Sequence, residues 1–113
     1  VVTPEYSHSI PAVLKNAFDV TDFQFKRKPF GVVSHGTVGG ARAAEHLKAV
    51  IFRCLGFVVP AAVALTMRPS EVFDENGTLS EEVAAQPYGP LAALKATLAE
   101  LEWFSDALSG AQK

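Results

Sequence analysis

Pro29-Phe30-Gly31-Val32-Val33-Ser34, then His35-Gly36-Thr37-Val38-Gly39-Gly40, then Ala41-Arg42-Ala43-Ala44, is the stretch whose reading decides the fold. The first six residues are apolar, short and bounded by Pro and Gly, which predicts a central strand of a parallel sheet. The next six are rich in the residue that tolerates any backbone angle, and read as a loop. From Ala41 to Leu55 the positions Ala44, Leu47, Val50, Ile51, Cys54 and Leu55 share one stripe at helical spacing, while Arg42, Glu45, Lys48 and Arg53 lie away from it. Gly56 stands just past the expected helix end. Strand, glycine loop and helix form one βα unit.

Working outward, the same alternation repeats. Val1 to Thr3 is apolar and β-branched, and Pro4 breaks it, so it reads as the end of a strand whose beginning precedes the chain. Ser9 is the expected N-cap of a short helix running to Ala17 or Asp19, with Pro11 near its first position. Ile10, Val13, Leu14 and Ala17 fall on its apolar face. A loop holding Phe23 and Phe25 connects it to the strand. Beyond the central unit, Phe57 to Val59 predicts a third strand, cut by Pro60 and continued by Val63-Ala64-Leu65. Residues 67–79 read as irregular, ending in an Asn76-Gly77 turn. Ser80 caps an acidic helix start at Glu81 and Glu82, where negative charge suits the N-terminus. Pro90 opens a long helix to about Leu108 with the stripe Leu91, Leu94, Leu98, Leu101, Phe104 and Leu108; Trp103 lies off it, on a face suited to a subunit contact. Strands alternating with helices argue for an α/β fold, a parallel sheet covered on both faces.

Composition narrows the function classes. The 113 residues fit one domain, and 49% hydrophobic with 19% charged residues is a globular balance. A net charge of −2 gives no field toward nucleic acid or an anionic membrane, and no stretch has the length of a membrane span. Lys26-Arg27-Lys28 reads as a solvated loop. The single cysteine, Cys54, precludes a disulfide within the chain, which suits a reducing cytoplasm, and its apolar neighbours make it a small core side chain. Asn76-Gly77-Thr78 fits a glycosylation sequon but reads first as a tight turn. No residue set suggests a metal site.

In parallel α/β sheets, ligands bind beyond the carboxyl ends of the strands. Two segments occupy those ends: Thr3-Pro4-Glu5-Tyr6-Ser7-His8-Ser9 and Ser34-His35-Gly36-Thr37-Val38-Gly39-Gly40. Both offer backbone N–H groups near a helix start, suited to a planar heterocycle with polar edges; a glycine-rich loop can equally be a tight connection.

The run Thr3-Pro4-Glu5-Tyr6-Ser7-His8-Ser9-Ile10-Pro11-Ala12-Val13-Leu14-Lys15-Asn16-Ala17-Phe18-Asp19 closely resembles the signature of the NADPH-dependent FMN reductase family, which includes azoreductase-, chromate-reductase- and quinone-reductase-like members. The loop Ser34 to Gly40, Val58-Val59-Pro60 and the Phe73-Asp74-Glu75-Asn76-Gly77 turn extend the similarity over nearly the whole chain. The resemblance implies a flavodoxin-like three-layer sandwich with sheet order 2-1-3-4-5 and FMN at the switch point. Of that fold this chain would be the C-terminal portion of a single domain, with the N-terminal strands and the phosphate loop missing. Pro4, Glu5, Tyr6 and Ser7 would line the flavin, chiefly through main-chain atoms, and Ser34, His35, Gly36 and Gly39 would form the other side of the ring pocket. No residue is assigned to catalysis. Ser7 stands where the family usually has Asn, and Ala12 where it has Gly.

The implied activity is a flavin-dependent NAD(P)H oxidoreductase that passes electrons from NAD(P)H through FMN to a small acceptor: a quinone, free flavin, an azo compound or a metal oxyanion. The implied assembly is a homodimer or homotetramer, with Trp103 and the Phe23/Phe25 loop as contacts. Glu5 is open to a subunit contact or a cap on the next helix, His35 to proton transfer, and Arg42 to an NADPH phosphate or to solvent. Without a phosphate loop the 113 residues are expected to bind FMN poorly, with the first strand an exposed edge. The competing expectation is a non-catalytic flavodoxin-like domain that serves in assembly without FMN.

Overall fold

The computed structural model describes residues 1–21, 23–66 and 68–111. Its strands are Val2–Pro4 (β1), Pro29–Phe30 (β2), Val33–His35 (β3), Phe57–Val58 (β4) and Val63–Leu65 (β5). β1, β3 and β5 form a parallel sheet in that order, with Pro4 opposite His35 and His35 opposite Leu65. β2 and β4 pair in parallel just before it, so β2–β3 and β4–β5 are each one extended run with a break. Backbone bonds bridge the break: Val59 N to Phe30 O at 2.9 Å and Val63 N to Val32 O at 3.0 Å. The register moves from Phe30 opposite Val58 to Val33 opposite Val63. The second run therefore carries two extra residues, around Pro60, which has no N–H to give to a ladder.

Alternation along β2–β3 assigns the faces. Val32 enters a core with Ile10, Phe18, Ala43, Leu47 and Ile51, built by helices α1 (Ala12–Val20) and α2 (Ala41–Arg53). Leu47 and Ile51 are wholly buried, each contributing about 1.5–3 kcal/mol by leaving water. The rings of Phe18, Phe25 and Phe30 close this face at centroid separations of 5.3–6.2 Å. Gly31 faces the other way, toward helix α5 (Pro90–Ala111); a Cβ there would lie 2.8 Å from Leu101 Cδ1, so the missing side chain lets α5 sit against the sheet. Helices on both faces of a parallel sheet make the flavodoxin-like α/β sandwich.

Several local expectations shift. Ser9 does not cap α1: Pro11 holds that position, with φ −59° and ψ 147°, and no side chain caps the helix. Val13 is 79% exposed and Ala17 is exposed; Leu14 and Phe18, four apart, carry the buried face instead. At the end of α2, Gly56 N reaches Ile51 O (3.1 Å) and Leu55 N reaches Phe52 O (2.9 Å), the paired bonds of a Schellman ending. The left-handed residue there is Leu55 (φ 65°), one position earlier than the glycine. Gly56 serves close packing: its Cβ would meet Phe30 at 2.9 Å. Along α5, Thr97 is the buried residue, while Leu94 and Leu98 lean outward. Within 67–79, helix α3 (Pro69–Val72) and a Phe73–Leu79 bridge replace the irregular segment; Met67 lies outside the described residues. The Asn76-Gly77 turn is held by Asp74, whose carboxylate accepts from the N–H of Asn76 (2.8 Å) and of Thr78 (2.9 Å). Ser80 caps helix α4 (Glu81–Ala84) by accepting from Val83 N.

Candidate functional site: two turns at one rim

Residues 5–9 leave β1 as a tight hairpin. Tyr6 N donates to Ser9 O and Ser9 N to Tyr6 O, both at 2.9 Å. Its tip residues, Ser7 and His8, have φ of 49° and 66°. A two-residue hairpin of this hand needs positive φ at both central positions, the reason Asn and Gly favour it. Ser7 thus occupies a backbone position that its side chain does not prefer.

The second turn follows β3. Gly39 N donates to Gly36 O at 3.0 Å, and the buried Ser34 hydroxyl donates to Gly39 O at 2.7 Å, closing the loop from inside. Gly39 and Gly40 take φ of 72° and 71°. A Cβ on Gly40 would lie 2.8 Å from both His35 N and Ser34 Cβ, so this glycine is required by close approach as well as by dihedral.

The two turns touch: Glu5 N donates to His35 O at 3.1 Å, extending the β1–β3 ladder into the rim. Glu5 then reaches across the strand ends to α2. Its Oε1 accepts from the N–H of Arg42 (2.8 Å) and of Ala43 (3.2 Å); its Oε2 accepts from Arg42 Nε (2.8 Å) and Nη2 (2.6 Å). The N-cap residue of α2 is Gly40, which has no side chain, so Glu5 supplies the cap from another element. The Arg42 side chain, foremost, and the two helix amides hold the Glu5 carboxyl below its ordinary range. Arg42 Nη1 also lies 2.9 Å from His8 Nε2, which must accept because a guanidinium only donates. One turn along α2, His46 Nδ1 meets Ser9 Oγ at 2.8 Å. A recess of about 530 Å³ flanks the hairpin on this side, lined by Tyr6, Ser7, Ser9, Lys15 and His46 among others.

A model of the NADPH-dependent FMN reductase family matches residues 1–69, the part that holds both turns, α1 and α2. The chain belongs to that family. Among its relatives, an NADPH:quinone oxidoreductase of Arabidopsis thaliana is 32% identical over 96% of this chain and 55% of its own length. The NADH:(hydroxy)cinnamate reductase subunit CrdA of Vibrio ruber is 34% identical over 73% of this chain and 44% of its own. The solved structure of FerB, a flavoenzyme NAD(P)H:(acceptor) oxidoreductase from Paracoccus denitrificans, superposes with a TM-score of 0.71 at 23% identity, over 93% of this chain and 59% of that one, and shares the fold. The chain spans about half the length of the relatives it matches.

For an FMN reductase the fit of the flavin to these residues divides in two. The ring fits: among the described residues, the amides of Ser7, His8, Thr37 and Val38 make no hydrogen bond, and all four sit on the two adjoining turns. Pro4, Glu5, Tyr6, Ser7, His35, Gly36 and Gly39 come together there. Ser34 lies beneath, 2% exposed, with its hydroxyl already committed to the loop. The phosphate has no comparable cradle on α2, because Glu5 fills the helix N-terminus. Nor is Arg42 a loose surface cation. The sequence shows Glu5 and Arg42 as opposite charges, yet 37 residues apart nothing local announces that they meet. Among the described residues no group of His, Cys, Asp and Glu could hold a metal, and no helix is long and apolar enough to cross a membrane.

Proposed function

We propose that this chain supplies the ring-binding rim of a flavin-dependent NAD(P)H oxidoreductase. It would pass electrons from NAD(P)H through FMN to a small acceptor such as a quinone, flavin, azo compound or metal oxyanion. The observation that carries the reading is the junction of the two turns at one sheet end, with Glu5 N bonded to His35 O. FMN, when bound, supplies the hydride-accepting and electron-donating chemistry. The chain's part is placement. The pinned hairpin at Tyr6–Ser9 and the glycine turn at Gly36–Gly40 offer fixed amide donors to the polar edge of a flat ring, and the sheet end beneath keeps water from one face.

The 113 residues would form part of one flavodoxin-like domain, a reading supported by the parallel β1–β3–β5 sheet with α2 and α5 packed on it. Homodimer or homotetramer assembly is supported by the exposed Trp103, stacked edge-on to Phe104, and by the half-exposed Phe23. The lone, unpaired Cys54 suits a cytoplasmic site of action.

Titration with lumiflavin, the bare ring, against FMN tests the proposal. The chain should bind both, with affinities within about tenfold of each other, because it holds the ring and not the phosphate. FMN bound far more tightly than lumiflavin would place the phosphate within this chain. No binding of either at millimolar concentration would overturn the flavin reading and leave an assembly role.

A further inference from the structure

We propose that Arg42 is a positioning residue for the rim hairpin: it holds Tyr6–Ser9 in the shape that meets the flavin ring. The inference rests on the flavin reading above. Ser7 and His8 adopt left-handed dihedrals without being glycine, a cost that neighbouring contacts must offset. The guanidinium provides those contacts. Nε and Nη2 bind Glu5, the residue that enters the hairpin, and Nη1 binds His8 at its tip, so one planar group spans the turn.

Arg42 is itself fixed. It lies in the first turn of α2, a helix anchored by the wholly buried Ala43, Leu47 and Ile51. His46, from the next turn of the same helix, holds Ser9 Oγ at the hairpin's far end. The hairpin is therefore referenced to a rigid helix at three points: Glu5, His8 and Ser9. All three nitrogens of the guanidinium are engaged, and Glu5 balances its charge. A lysine cannot reproduce this, since an ammonium is a point charge on a flexible stem and not a fork.

Amide hydrogen exchange, with lumiflavin titration and visible circular dichroism of the bound flavin, tests the role in the wild-type chain and in Arg42→Ala, Arg42→Lys and Glu5→Gln. In Arg42→Ala the Tyr6 and Ser9 amides should exchange about tenfold faster or more, while those of Leu47 and Ile51 stay protected. Lumiflavin affinity should fall about tenfold with a weakened dichroic signal, since a loosened hairpin must be ordered on binding. Arg42→Lys should resemble Arg42→Ala. If the alanine variant loses protection at Leu47 and Ile51 as well, Glu5→Gln, which keeps an acceptor for the α2 amides, should show the same hairpin loosening more mildly. Restoration of wild-type behaviour by lysine would overturn the proposal in favour of simple charge. Unchanged exchange at Tyr6 and Ser9, or faster exchange with unchanged flavin affinity and dichroism, would overturn it too. Failure of the wild type to bind lumiflavin would overturn the flavin reading first, and the positioning role with it.

Discussion

In the rim hairpin, the left-handed positions are Ser7 and His8; in the loop beside it, they are Gly39 and Gly40. The backbone demand is the same and the two solutions differ. The glycine loop meets it locally, with residues that pay no steric penalty, and one hydroxyl from Ser34 completes it. The hairpin meets it through tertiary support, with Arg42 and His46 of α2 gripping residues whose side chains disfavour the conformation. A loop made by composition is robust to its surroundings. A loop made by its neighbours holds its shape only while they do.

The comparison breaks most sharply at Gly40. Gly40→Ala would force a side chain into a left-handed dihedral and against the β3 backbone, and should destabilise the fold by about 3 kcal/mol or more in urea unfolding. A loss below about 1 kcal/mol would mean that the loop relaxes and that its close approach to β3 is not required. Ser34→Ala comes next: removing the buried donor leaves Gly39 O unsatisfied, a loss of about 1–3 kcal/mol by the same measurement. For the hairpin the sign reverses. Ser7→Asn places a residue that tolerates the left-handed region at a position held there by force, and should raise stability by roughly 0.5–1 kcal/mol. A neutral or destabilising result would show that Ser7 is not strained.

The smallest effect is the acid dependence of the Glu5 cap. Its folded carboxyl titrates below the unfolded one, chiefly because of Arg42, so the stability it contributes is fully present above the ordinary carboxylate range. That contribution is lost as pH falls through the lowered folded value. Glu5→Gln should remove this slope, and a variant with an unchanged acid limb would contradict the cap.

Much of this was legible in the residues. Pro29 to Ser34 and the apolar stripe of α2 announced the central βα unit because burial demands a pattern that sequence displays directly. The glycine loop was legible because left-handed dihedrals favour a residue without a side chain. The break at Gly31–Val32 and the two-residue shift around Pro60 were not, since ladder register is a property of the pair of strands. Ser9 shows the limit most plainly: a good N-cap by residue type, it was taken by the hairpin and by His46. Leu55 is similar. The Schellman ending needed its left-handed residue where the chain has leucine, while the adjacent glycine was required by Phe30. On α5, periodicity gave a leucine stripe, but contact with Gly31 rotated Thr97 inward.

The seating of Glu5 on the first amides of α2 also bears on how the dinucleotide of the proposed function would arrive. Charges around this face cancel in neighbouring pairs: Glu5 with Arg42, Asp19 with Lys15, Glu45 with Lys48. A polyanion drifting toward such pairs would gain little steering from them. Its encounter should run at the unassisted rate of about 10⁵–10⁶ M⁻¹s⁻¹ and vary little with added salt, leaving selectivity to contacts made after arrival.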